Sequence, residues 1–325
     1  MPALLLLTSL AACGGGSGSP TAGTGSTSST TAPPRRSTAP FVPHTASTRV
    51  ASWQLPFAAG RQALVTLRAG HVLVAGGLLA GDVSTDRVVG LDLTTGRASA
   101  EPSLAVPVHD VAGGLAGSTP VVVGGGNSSE QDVVQGLHAG TWRVIGHLPT
   151  ARSDLGVVPD AATPLVIGGY DGAATPTAVL SVDAQGSVRT RGRLVTGVRY
   201  AATAEAGHTA YVFGGEVLGR ELDAVQAVDL RTGRTRVVAR LPLPLGHAMA
   251  ASVGGRILVM GGRVTPDRQT SAMWWFDPAG RRFSRAGSLP RPLSDSAVAA
   301  YGHRVWLLGG EDPSVTADVV FVNVR

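Results

Sequence analysis

Short apolar runs recur along the chain, and six of them end at two adjacent glycines: HVLVAGGL, PVVVGGGN, PLVIGGYD, AYVFGGE, RILVMGGR and RVWLLGGE. The first glycines fall at 76, 124, 168, 214, 261 and 309, at intervals of 48, 44, 46, 47 and 48 residues. A continuous apolar run of this length, bounded by turn residues, predicts a strand buried on both faces. Each run is preceded by a small-residue segment such as AATAEA or MAASV. Each is followed by a polar loop, a second β-prone segment such as DAVQAVDL, a turn such as RTGR, and one more strand. Several of these last strands end near Leu-Pro, as in TRVVARLP. Four strands per roughly 46 residues predict one propeller blade per repeat, six in all.

The ends of the chain predict closure. The sixth unit stops at DVVFVNVR, after its third strand. The segment VASWQLPFAAGR near residue 50 has Trp53 and Leu55-Pro56 where the other units have their fourth strand. The amino-terminal strand is therefore expected to complete the last blade and remove an open sheet edge.

A diglycine behind the second strand is the mark of the kelch repeat, and the chain resembles that family from residue 51 to its end. The resemblance implies an all-β, six-bladed kelch-type β-propeller. The family pattern also has a tyrosine after the glycines and a tryptophan in the fourth strand; here only Tyr170 and Trp142 match cleanly. The glycine pairs are expected to end a buried strand and turn the chain against its own blade. They do not read as a phosphate cradle, which needs a helix amino terminus behind it; QDVVQGLHAG after VVVGGGNSSE reads as strand.

Composition narrows the chemistry. All 27 basic residues are arginine. With no lysine there is neither a Schiff base nor a P-loop. From residue 51 onward 24 arginines face 22 carboxylates, and no basic run stands out, so no nucleic-acid partner is expected. The chain opens MPALLLLTSLAAC, and Leu10-Ala11-Ala12-Cys13 resembles the lipobox of bacterial lipoproteins. That resemblance implies a signal peptide over residues 1–12, lipid on Cys13 and a location outside the cytoplasmic membrane, at the bacterial cell surface. The run is too short to span a bilayer as a helix. Residues 13–50 are rich in Gly, Ser, Thr and Pro and read as a flexible linker, leaving 51–325 for the propeller.

The residues entering each first strand, with those just after each diglycine, fall at one end of the blades. They are Arg61, His109, Arg152, Asp154, Arg199, Tyr200, His247 and Asp295 from the first group, and Tyr170, Glu216, Arg263 and Glu311 from the second. In kelch-like propellers this face is a common ligand-binding surface, and arginine forks there suit carboxylates or sugar hydroxyls. The alternative is that these turn residues merely pair with one another between blades. His109 and His247 are expected across the channel from each other. No HxH or HExxH spacing occurs, so neither metal nor cofactor is expected. Copper-radical kelch oxidases require a cysteine–tyrosine crosslink, and Cys13 is the only cysteine. The expectation is a monomeric, lipid-anchored binding module for a protein segment or a glycan. A carbohydrate-active epimerase or mutarotase, and a structural scaffold of the envelope, remain as alternatives.

Overall fold

The computed structural model describes residues 41–158 and 163–325, so the leader and Cys13 lie outside the described residues. Among the described residues there is no helix, and none long and apolar enough to cross a membrane. Six antiparallel four-stranded sheets follow one another around a central channel. Their innermost strands are Ala63–Arg68, Ala112–Ala116, Ser153–Val158, Ala202–Ala206, Met249–Val253 and Ala297–Tyr301, which open blades 1 to 6. Blade 4 shows the pattern: Ala202–Ala206, Thr209–Phe213, Ala224–Asp229 and Thr235–Arg240, from channel to rim. The second strands, such as Thr209–Phe213, are buried along most of their length because a neighbouring blade covers each face. The apolar clusters accordingly lie between blades: Phe213 and Phe276, of blades 4 and 5, meet edge to face at 5.4 Å.

Closure follows the expected route. The outer strand of blade 6 is Ala46–Gln54, paired antiparallel with the carboxy-terminal strand Asp318–Val324 in the register Ala46↔Val324 to Gln54↔Asp318. The strand begins five residues before the boundary drawn at 51. Its first turn, Ala46-Ser47-Thr48, is compositionally linker-like and is held by pairing that composition does not report. Phe41 packs on His303, and the Pro43 carbonyl accepts from Arg256.

The diglycines end the buried strands and turn the chain within its own blade: the Gly214 N–H donates to the Ala224 carbonyl at 2.9 Å, and the Gly215 carbonyl accepts from the Leu222 N–H at 2.8 Å. Gly214 and Gly215 have φ of 58° and 93°, and a Cβ on Gly214 would stand 2.2 Å from the Leu245 carbonyl oxygen. That carbonyl belongs to the approach to blade 5 and accepts the Gly215 N–H at 2.8 Å. The same bond recurs from Gly77, Gly125, Gly169 and Gly262 to the next blade, and Gly310 closes the circle onto Ala59 at 2.9 Å. The glycines therefore also fasten each blade to its successor. Two backbones can approach that closely only where no side chain intervenes.

The outer strands of blades 2 to 6 carry nine arginines and no carboxylate. Like charges along open sheet edges discourage edge-to-edge pairing between molecules.

Candidate functional site

One residue per blade lines the mouth of the channel at the end where the innermost strands begin: Arg61, Asp110, Asp154, Tyr200, His247 and Asp295. All six have left-handed backbones, with φ between 50° and 61°. Their main chains form a closed ring. The N–H of each donates to the carbonyl of the one before: Asp110 to Arg61, Asp154 to Asp110, Tyr200 to Asp154, His247 to Tyr200, Asp295 to His247, and Arg61 to Asp295, at 2.8–3.2 Å. A non-glycine residue at positive φ costs about 1–3 kcal/mol, so six together persist only because the ring holds them. The left-handed turn directs each side chain over the channel mouth.

A second tier stands around the first. The residue after each diglycine bridges to the one preceding a ring residue, as in Arg199↔Glu216, Gly246↔Arg263 and Ser294↔Glu311. Blade 3 places Tyr170 there, paired with Ser153. In blades 1, 4, 5 and 6 this tier continues into short ribbons, Glu216–Val217 with Arg220–Glu221 among them, that form a parapet.

The two tiers share their charges. Arg61 Nε donates to Glu311 Oε1 at 2.6 Å, and its Nη1 lies 3.1 Å from Asp110 Oδ2 and 3.5 Å from the Tyr200 hydroxyl. Arg61 and Tyr200 open blades 1 and 4, so this contact crosses the channel and closes it. Arg263 Nη2 bridges Glu311 at 2.5 Å and Asp295 at 3.3 Å. Arg199 binds Glu216 at 2.5 Å, lies 3.6 Å from Asp154 and packs on the rings of Tyr170 and Tyr200. His247 stacks on Tyr200 at 3.7 Å, with Nδ1 2.7 Å from Asp295 and Nε2 3.9 Å from Glu216.

The protonation states follow from this packing. Burial opposes the charge on His247, but Asp295 and Glu216 push it up to about 9. Glu216, held by the His247 and Arg199 cations against the penalty of its burial, falls to about 2. Asp295 is buried too, yet His247, Arg61 and Arg263 hold it well below the usual carboxylate range. Burial lifts Asp110 to about 7 against the pull of Arg61, with Asp154 and Asp295 adding to the rise, and burial also raises Asp154. The carboxylates with the fewest cations are thus the ones pressed toward neutrality.

Of the expected residues, the structure brings Arg61, Asp154, Tyr200, His247 and Asp295 into the ring and Tyr170, Glu216, Arg263, Glu311 and Arg199 around it. His109 is one position short of the ring. Its Nδ1 lies 2.8 Å from Ser84 Oγ, and Asp110, not His109, faces His247 across the channel. Arg152 is 3% exposed and turns into blade 3, donating to the carbonyls of Gly168 and Ala178. Asp110 is the residue that sequence reasoning missed. Ring residues stand fourteen positions before the first glycine in blades 2 to 6, an offset that selects Asp110; blade 1 has one residue more, where its strand shifts register between Thr66 and Arg68. The arginine forks are also committed to carboxylates of the chain itself.

The mouth retains a dimple of about 120 Å³ lined by the ring residues and by those that follow them, such as Gln62, Leu155 and Ala248. Beneath it the channel is a cavity of about 760 Å³ lined by small residues such as Gly113, Gly156, Ala202, Ala251 and Ala297. Among the described residues, no cluster of His, Cys, Asp and Glu could hold a metal ion.

A closed circle of six four-stranded blades around a plugged channel is a β-propeller, and its repeats are of the kelch type. The family model for the Kelch motif matches residues 244–290, the stretch from the approach to blade 5 through its outer strand. No curated protein matches the chain. Kelch propellers commonly mediate protein interactions.

Proposed function

We propose that the protein is a binding module outside the cytoplasmic membrane, tethered through lipid on Cys13, whose plugged face takes a basic side chain of a protein segment. The observation that carries this reading is a surplus of carboxyl groups over cations at the mouth, which leaves Asp110 and Asp154 pressed toward neutrality. Three arginines and His247 face five carboxylates: Asp110, Asp154, Glu216, Asp295 and Glu311. Glu221, on the blade 4 ribbon, adds a buried Oε1 with no hydrogen-bond partner among the described residues. A guanidinium or ammonium entering the mouth would meet Asp110, Asp154 and Asp295, which line the dimple and leave room for such a head group, and the open acceptor of Glu221 on the ribbon.

A protein segment fits better than a glycan. The dimple is smaller than the roughly 300–1,000 Å³ of ordinary small-molecule pockets. Its arginines are engaged, and Leu218 stands 93% exposed at the tip of the blade 4 ribbon, offering an apolar contact. The tether is supported by the sequence Leu10-Ala11-Ala12-Cys13 alone.

The test is capture of envelope proteins by the full chain, followed by elution with millimolar free arginine. Partners retained by the native chain, released by arginine and lost with Glu221→Gln support the reading. Equal retention by the variant, or elution by glutamate but not arginine, refutes it. Radiolabelled lipid incorporated by the native chain but not by Cys13→Ala supports the tether; no incorporation by either removes it.

A further inference from the structure

The closing seam carries a second unusual feature, at the end of the blades opposite the plug. In blades 1, 3, 4 and 5 the third strand ends at an aspartate, namely Asp92, Asp183, Asp229 and Asp277, whose Oδ1 accepts backbone N–H groups of the following turn. In blade 6 the equivalent residue is the neutral Asn323. The difference matters for the residue paired with it. In blade 1, His71 faces Asp92 across the ladder, with Nε2 3.7 Å from its carboxylate. In blade 6, Arg304 faces Asn323 and has no acid to meet.

A second arginine shares that face. Arg49 on the outer strand pairs with Phe321, and Trp306 pairs with Phe321 from the other side. The Arg49 and Arg304 guanidiniums lie 4.8 and 5.9 Å from the centre of the Phe321 ring. Neither side chain makes an ion pair or hydrogen bond among the described residues. In blade 5 the residue equivalent to Phe321 is Trp275, 1% exposed, whereas Phe321 is half-buried. Around these groups runs a groove of about 330 Å³, walled by Trp53 of the closing strand and by Leu93 and Thr94 of blade 1. That volume lies within the range of small-ligand sites.

We infer that this seam groove is a binding site for a small oxyanion-bearing ligand, a phosphate or a sugar carboxylate, held between Arg49 and Arg304. Two guanidiniums around one ring repel each other, and an anion between them removes that repulsion while gaining charge-assisted hydrogen bonds from both. Thr94 and Asn323 supply neutral donors on the same wall, and Trp53 offers an indole edge to the body of the ligand. The site shares no residue with the plugged face and stands independently of the function proposed for it.

The experiment is a tryptophan-fluorescence titration of the full chain with inorganic phosphate, D-glucuronate and neutral D-glucose, at constant ionic strength set with chloride. Saturable binding of phosphate or glucuronate but not glucose is expected, weakened at least tenfold in Arg49→Gln and in Arg304→Gln and unchanged in Glu221→Gln. Tighter binding of glucuronate identifies a sugar acid as the ligand type, and tighter binding of phosphate a free or esterified phosphate. The inference is overturned if neither anion saturates, or if Arg49→Gln/Arg304→Gln, with an unaltered circular dichroism spectrum, binds as the native chain does.

Discussion

The backbone N–H of Arg61 donates to the carbonyl of Asp295 at 2.8 Å, although the two residues open the first and last blades. This bond completes the ring of six around the channel, and the Arg61 side chain then ties Asp110 to Glu311. Removing that side chain leaves the buried Asp110 without its arginine and Glu311 with Arg263 alone. Arg61→Ala should cost about 3 kcal/mol of unfolding free energy. Urea denaturation measures it, and a loss under about 1 kcal/mol would mean the plug holds itself together without Arg61.

The same network sets a pH dependence whose sign can be worked out group by group. His247 has its folded pKa raised from 6.5 to about 9, so its contribution is complete below 6.5 and is lost as pH rises to 9. Asp110, raised from 3.8 to about 7, likewise keeps its proton in the folded chain and loses stability as pH rises across that interval. Glu216, lowered from 4.5 to about 2, acts in the opposite sense, and its contribution disappears as pH falls below 4.5. Stability should peak near about pH 5 and decline by a few kcal/mol toward pH 9. His247→Gln should flatten the decline between pH 6.5 and 9, a difference in slope readable from urea midpoints at each pH.

The diglycine bonds predict a contrast between two glycines of blade 4. A Cβ on Gly214 would sit 2.2 Å from the Leu245 carbonyl oxygen, at φ 58°, whereas one on Gly219 would meet nothing within 4 Å, at φ 73°. Gly219→Ala should cost about 1 kcal/mol from backbone conformation alone. Gly214→Ala should cost at least about 3 kcal/mol, because it also forces apart the junction of blades 4 and 5. Equal thermal midpoints for the two variants would contradict the inter-blade role.

The closing strand predicts where the chain tolerates shortening. Deleting residues 1–40 leaves Ala46–Gln54 and its pairing with Asp318–Val324 intact, and the melting temperature should change little. Deleting residues 1–54 opens the edge of blade 6 and uncovers the apolar face around Val319 and Phe321. That product should aggregate or melt at least 10 °C lower, as scanning calorimetry with light scattering would register.

The sequence by itself determined the six blades, their strand order and the closure by the amino-terminal segment. These rest on local pattern: buried strands need continuous apolar runs, and the junctions between blades need glycine pairs wherever two backbones touch, so the period is written into the chain. It also determined which end of the blades collects polar residues, because the position after Gly214-Gly215 and the entry to Ala202–Ala206 lie at the same end of a four-stranded meander. Only the tertiary structure decided what those residues do. Asp110 and His109 are neighbours in the chain, and a left-handed turn places one over the channel and the other beside Ser84. Arg152 reads as rim and turns into its blade, while Arg61 reaches Tyr200 across the channel. Such choices depend on the curvature of a closed ring, which brings together residues of opposite blades that no local pattern relates. Whether an arginine is free or spent is decided there too: Arg61, Arg199 and Arg263 are held by carboxylates of other turns, and Arg49 and Arg304 are left unpaired because the neutral Asn323 stands where four other blades place an aspartate.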